Sequence, residues 1–373
     1  MGISFELGKE LEAIKEEVHR FAEKEIRPRL REFERNGDIT EEFRKKFSEL
    51  GVSAIDYPEE YHGSGLGLIG AVVIIEELAW GDTGTALALL NGPGLGGYTV
   101  LELGNEGQKR KYLSFFLNPY GYNVRCAFCL LEHQPDFTLE NMQTVATLVD
   151  GDFLLSGKKF CVVNGDRADF YVIFAKIEGK SGIGAFIIEK GTTGLQTGKV
   201  HEKLGLNSVP TADIILDGCR VPKENLLNGA SEFGKALESI FIREQLISTA
   251  LMVGCARAAS EYAFKYAFER KAFGVPIYQH QGLSFMMAEM AIEVDASRWM
   301  LWQAAWAFDK VKEEASLLAG KAFIKAKRMS SKITSDAVQI LGGHGFIQDH
   351  PVEKWMRDTK TLSVLVQSMD LNI

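Results

Sequence analysis

The strongest constraint on the fold is the run of helical periodicity that fills the last part of the chain. From Ser231 onward, amphipathic segments cover roughly residues 231–269, 280–311 and 313–341, interrupted only at Lys271–Ile277 and at Gly342–Gly345. Three long helices with apolar faces must bury those faces against one another, and packing them antiparallel predicts a lobe resembling a four-helix bundle. Trp299, Trp302 and Trp306 recur at helical spacing. Such a row reads as core or a helix–helix interface rather than a ligand box.

The texture upstream differs. Leu7, Leu11, Ile14, Val18 and Phe21 mark one face of a helix over residues 5–26, and Pro28 limits its continuation. Further helical stretches run through Ile69–Trp80 and Gln108–Phe116, separated by a turn-rich loop around Pro58–Gly65. Near residue 123 the pattern changes to short apolar or aromatic runs, at Phe153–Leu155, Phe170–Ala175, Ala185–Glu189 and Ala212–Leu216, parted by Gly, Asp, Asn and Ser. That pattern predicts a small antiparallel β-domain. Gly191–Gly205 reads as its longest irregular connection, and Pro222 with Asn225–Gly229 marks its exit. The expected plan is an α+β chain with an N-terminal helical domain over 1–122, a β-domain over 123–230 and a C-terminal helical domain over 231–373.

Composition excludes some partners. Across 373 residues, 42 basic against 50 acidic side chains leave a net charge of −8, which gives no electrostatic reason to expect nucleic acid. No apolar run approaches the roughly 18 residues of a membrane span. The start, Met1–Glu6, lacks a signal-peptide core, so the cytoplasm is the expected compartment. Five cysteines argue against a disulfide framework. The Cys126–Cys129 pair has CxxC spacing, but in a strand residues three apart face opposite ways, and no second pair or His completes a metal site. No metal is expected.

Local motifs then carry a resemblance. Gln339-Ile340-Leu341-Gly342-Gly343-His344-Gly345-Phe346, with Pro351–Lys354 and Arg357-Asp358, resembles the signature before the catalytic loop of acyl-CoA dehydrogenases. Pro58-Glu59-Glu60-Tyr61 with Gly63 resembles that family's Pro-Glu-Glu-Tyr-Gly-Gly loop, and Glu76-Glu77-Leu78 the helix after it. Gly157-Lys158-Lys159 with Asn164-Gly165, then Val221–Leu227, and finally Arg270-Lys271-Ala272-Phe273-Gly274 with Gln281, follow in family order. The resemblance spans nearly the whole chain, and its wording is closest to the medium-chain branch. It implies FAD as cofactor, an acyl-CoA substrate, a place in acyl-CoA or fatty acid metabolism, and a tetramer. Electron-transferring flavoprotein is the implied electron acceptor.

The resemblance divides the site residues into two sets. In the family, FAD lies across a dimer interface, and its adenosine-diphosphate half is held by an Arg-x-x-Phe-Gly…Gln motif and a Gln-x-x-Gly-Gly segment. Here these correspond to Arg270, Phe273, Gln281, Gln339, Gly342 and Gly343. An Arg fork suits a pyrophosphate, and paired glycines let backbone approach it. The bland alternative is an Arg in a surface ion pair and a Gly-Gly helix stop. The other set is degenerate. The Thr that addresses the flavin pyrimidine edge becomes Leu131, the Ser that meets the CoA arm becomes Phe137, and Trp-Ile-Thr becomes Cys161-Val162-Val163. Phe-Asp-x-x-Arg becomes Phe241-Ile242-Arg243-Glu244-Gln245, and the catalytic Glu position is Val366.

Three readings follow. The chain is the supporting subunit of a heteromeric enzyme, completing the FAD site of a homologous partner that supplies the base. Alternatively it is self-sufficient with the base moved to Glu244, the position used in the isovaleryl and long-chain branches. Taken alone, Glu244 reads as a solvated helix residue paired with Arg243 or a neighbour. The third reading is a non-enzymatic scaffold of the same fold.

Overall fold

The computed structural model describes residues 6–90, 94–117, 121–179, 182–229 and 232–367. Seven helices come first: α1 (Lys9–Phe21), α2 (Leu30–Asn36), α3 (Glu41–Ser48), α4 (Gly67–Gly81), α5 (Thr83–Leu90), α6 (Gly94–Leu103) and α7 (Glu106–Leu117). The predicted first helix gives up its α-form at Phe21, then passes through a π-turn at Ala22–Ile26 and a 3-10 turn around Pro28. Proline there has no amide hydrogen to continue the ladder. Helix α4 is apolar on all sides because it is buried on all sides, against α1, α8 and α9. Helices α5 and α6 share that uniform burial and contain several glycines, so they present no contrast between faces for periodicity to detect.

The middle of the chain forms one seven-stranded sheet from β1 (Cys126–Cys129), β2 (Val145–Val149), β3 (Asp152–Val163), β4 (Phe170–Ile177), β5 (Ile183–Glu189), β6 (Leu195–Val200) and β7 (Thr211–Val221). Most pairings are antiparallel, while β1 and β2 each pair with β4 in parallel. Strand β6 lies inside the stretch expected to be irregular, which corrects that expectation. It is an edge strand exposed along most of its length, so its Gln, Thr, Gly and Lys carry no apolar alternation. Cys126 faces the large core shared with the helices, whereas Cys129 faces a separate core within the sheet. The CxxC sulfurs therefore diverge, as their strand placement predicts.

The C-terminal helices are α8 (Phe233–Glu269), α9 (Gln281–Asp309), α10 (Ala315–Leu341) and α11 (Val352–Gln367), with a small hairpin of β8 (Lys271–Ala272) and β9 (Val275–Pro276) between α8 and α9. Helix α8 is the central post, packed on α4, α6, α9, α10 and α11. It is also long and apolar enough to cross a bilayer, but 78% of its most apolar stretch is buried inside the protein. Its contact with α4 is so close that a Cβ on Gly254 would stand 2.3 Å from the Glu76 carbonyl oxygen. The same three helices are tied by charge, with Glu76 accepting from Arg257 at 2.8 Å and from Arg298 at 2.9 Å.

The tryptophan row is only partly covered within one chain. On α9, Phe285, Ile292, Trp299 and Trp306 recur every seventh residue and are 44% to 66% exposed. Leu317 and Ile324, also seven apart on α10, are exposed as well. Spacing of this kind is the seam along which helices of separate chains pack.

Candidate functional site

A cavity lies where α4, α6, α8, α11 and the first strands meet. Among the residues that line it, Ala71, Ile74 and Ile75 of α4 and Tyr98 of α6 are buried, whereas Leu131, Phe160, Val163 and Leu365 are half-buried. The walls are overwhelmingly apolar. Local backbone geometry sets the β side. Strand β3 breaks register between Lys159 and Val162, and Cys161 takes φ +52° there. Around this bulge Phe160, Cys161, Val162 and Val163 all contribute to the cavity lining, although the Val162 side chain packs in the core within the sheet and Val163 against the main core.

Glu244 projects into this space from α8, and its carboxyl has one hydrogen-bond partner among the described residues, the Ser248 hydroxyl at 3.4 Å one turn on. Burial pushes it up to about 7, against a small opposing pull from Ser248. Glu244 is half-buried, its hydrogen-bond partner is the neighbour Ser248, and the alternative of a pairing with Arg243 does not form. Arg243 pairs with Asp56 at 2.7 Å, so among the described residues no cation pairs with Glu244. Sequence reasoning missed Asp56 and Tyr98, whose hydroxyl donates to Asp56 at 3.0 Å. Asp56 and Arg243 lie 187 residues apart, and no local pattern announces such a pair.

The substituted positions fall into place around Glu244. Leu131, Cys161 and Val163 all line the cavity, so the wall opposite α8 offers no side-chain hydroxyl at the first and last of these. Beside Val163, the buried Asn164 amide has an Nδ2 with no partner among the described residues. Phe137 instead packs against the main core from the loop between β1 and β2. Val366 falls in the last turn of α11, and its side chain lies outside the described residues, as do residues 368–373. Lys354 of the signature segment is buried between Asp82 and Asp358, at 2.6 Å from each. Asp358 also accepts from the Leu206 amide at 2.6 Å, so this part of the signature docks α11 onto the chain between β6 and β7.

The second set lies elsewhere. Arg270 caps the C-terminal end of α8, Phe273 is 95% exposed at the tip of the β8–β9 hairpin, and Gln281 opens α9. Gln339, Gly342 and Gly343 are exposed at the end of α10, where Gly342 also serves as the helix stop at φ +55°. The Arg270 guanidinium makes no ion pair or hydrogen bond among the described residues, unlike the surface ion pair of the bland alternative. A Cβ on Gly342 or Gly343 would meet nothing within 4 Å. An uncommitted guanidinium and open-faced glycines suit a pyrophosphate and its adenosine. Arg270 lies twenty-six positions after Glu244, about 39 Å along α8 at the standard rise. That is far beyond the reach of the arm joining a flavin ring to its pyrophosphate.

Among the described residues no group of three or more His, Cys, Asp or Glu is placed to hold a metal ion.

Comparison with known proteins agrees with this architecture. Residues 8–118, 127–219 and 235–365 match the family models for the acyl-CoA dehydrogenase N-terminal, middle and C-terminal domains, respectively. An acyl-CoA dehydrogenase of Bacillus subtilis is 34% identical over 355 residues, 93% of this chain and 91% of that protein. The mitochondrial short-chain specific acyl-CoA dehydrogenase of Sus scrofa is 33% identical, over 97% of this chain and 87% of its own length. The structure of butyryl-CoA dehydrogenase from Megasphaera elsdenii superposes with a TM-score of 0.88 at 30% identity, covering 99% of both chains.

Proposed function

The chain belongs to the acyl-CoA dehydrogenase family, and from that premise we propose that it desaturates an acyl-CoA thioester between Cα and Cβ with Glu244 as the base. The observation that carries this reading is the setting of Glu244: a carboxyl enclosed in the apolar cavity, unpaired with any cation and raised to about 7. A general base works best when its affinity for protons lies near the working pH.

Members of this family are FAD enzymes, and bound FAD supplies the acceptor for the hydride that leaves Cβ. This chain's residues perform the rest. Glu244 takes the proton from Cα, so the two C–H bonds break and one C=C bond forms. The walls from Ile74 to Leu365 exclude water, which keeps the carboxylate basic and the developing enolate away from solvent. Ser248, one turn from the base, limits its rotation. Arg270, Phe273, Gln281, Gln339, Gly342 and Gly343 would hold the adenosine-diphosphate half. Because about 39 Å of α8 separates Arg270 from Glu244, each flavin would be shared between two chains. The exposed seven-residue row on α9 supports self-assembly through the helical lobe, up to a tetramer. Electron-transferring flavoprotein is the proposed acceptor.

A second reading has its own support. Leu131 and Val163 bring no hydroxyl to the cavity, as expected of a subunit that completes a homologous partner's FAD site instead of running the reaction. Purifying the chain alone separates the two. Flavin absorbance with acyl-CoA-dependent reduction of an artificial acceptor supports the first reading. Flavin or activity that requires a co-expressed homologous chain supports the second. An absence of flavin and activity in both preparations overturns both readings and leaves the scaffold.

A further inference from the structure

We propose that Tyr98, locked in place by Asp56 and Arg243, closes the inner end of the cavity and limits the substrate to short acyl groups. The proposal rests on the reading of the cavity as an acyl-CoA site. Tyr98 lines the cavity from α6 and is buried against the protein interior. Its ring stacks on Tyr57 at 5.0 Å and 10°, and its hydroxyl donates to Asp56 Oδ1 at 3.0 Å. Asp56 Oδ2 accepts from Arg243 at 2.7 Å, and the same guanidinium sits 5.0 Å from the Tyr98 ring centroid and 4.9 Å from that of Phe308. The phenol is thus held through its ring face and its hydroxyl.

Nor can the backbone behind it retreat. Helix α6 is seated on β1 at Gly96, where a Cβ would lie 2.3 Å from Cys126 Sγ. Burying an ion pair beside an apolar cavity adds little to stability over a hydrophobic filling of the same shape. Its distinctive contribution is geometric, and here that contribution falls on Tyr98. Arg243 immediately precedes Glu244 on α8, so the residue next to the base anchors the wall that ends the pocket. A longer acyl chain would have to swing the phenol aside, which strands Asp56 Oδ1 without its donor in a water-poor site.

Calorimetric titration of the purified flavin-containing protein with trans-2-enoyl-CoAs of four, eight and twelve carbons reads this without turnover. The four-carbon ligand should bind at least about tenfold more tightly than the twelve-carbon one, the scale of one buried hydrogen bond to a charged group. Tyr98→Ala should erase or invert that ratio. Tyr98→Phe, which keeps the ring and removes only the hydroxyl, should narrow it, and this milder change guards against a misfolded variant. Equal affinities in the unmodified protein, or a ratio unchanged in both variants, would overturn the role of Tyr98 alone. If none of the three ligands binds, the acyl-CoA reading itself falls and takes this proposal with it.

Discussion

Arg243 donates to Asp56 across 2.7 Å and thereby joins α8, the first helix of the C-terminal lobe, to the loop ahead of α4. Because the guanidinium is committed there, it leaves Glu244, its neighbour in sequence, without a counter-charge. An ionised carboxylate with a cation beside it would titrate low and be a poor base; this one is held high by burial alone.

Glu244→Gln removes the base and keeps its size. The turnover number should fall by at least about a hundredfold. Flavin content should stay level, since Arg270 and its companions lie at the other end of α8. Steady-state reduction of an artificial acceptor under saturating acyl-CoA measures the first, and the visible flavin band the second. An undiminished rate would move the base to another chain.

The pH dependence follows from the same carboxyl. As a base Glu244 must be ionised, so kcat/KM should rise with pH through about 7. Stability should run the opposite way. Between the ordinary value of 4.5 and the folded value of about 7, the folded protein keeps a proton that the unfolded chain releases. Stability associated with Glu244 is fully present below that window and lost across it. Glu244→Gln should therefore gain roughly 2–3 kcal/mol over the parent at pH 8 and almost nothing at pH 4. Urea melts of both proteins at the two pH values test the sign.

Arg270→Ala should loosen the cofactor in the assembled protein. The guanidinium has no other commitment, and a charge-assisted bond to a pyrophosphate contributes roughly 1.5–3 kcal/mol. Flavin retained after dialysis should drop accordingly, while circular dichroism stays unchanged because nothing among the described residues loses a partner.

The seven-residue row on α9 should be a subunit contact. Ile292→Glu combined with Trp299→Glu places two charges in the middle of it and should return a particle near the 41.4 kDa of one chain in light scattering, where the parent forms a multiple. A parent that is monomeric at micromolar concentration would remove the basis for a shared flavin.

Strong apolar periodicity and the order of the motifs made most of this fold legible in the sequence. Helices α8, α9 and α10 begin and end within a few residues of the stretches that periodicity marks out. Strand β6 escaped because an exposed edge strand needs no alternating apolar residues. Helices α5 and α6 escaped for the opposite reason, being buried all round. Within the site, the motif spacing singled out Glu244 and Arg270, but the meaning of each depended on contacts that local sequence does not encode. Consecutive residues on a helix do not face each other, so Arg243 and Glu244 were free to take separate partners. The tertiary contact with Asp56 holds Arg243, and a residue that looked solvated lines the cavity.

The length of α8 has a genetic consequence. If Glu244 of one chain and Arg270 of another serve the same flavin, then in a symmetric pair each chain lends its Arg270 to the site where the other keeps its Glu244. Consider one chain carrying Glu244→Gln and its companion carrying Arg270→Ala. One of their two sites receives both lesions and the other receives neither. Two impaired parents would then yield a hybrid with half the intact sites of the unmodified pair, and co-expressing the mutants should raise activity above that of either alone. A chain that kept both ends of its flavin to itself could never be rescued in this way.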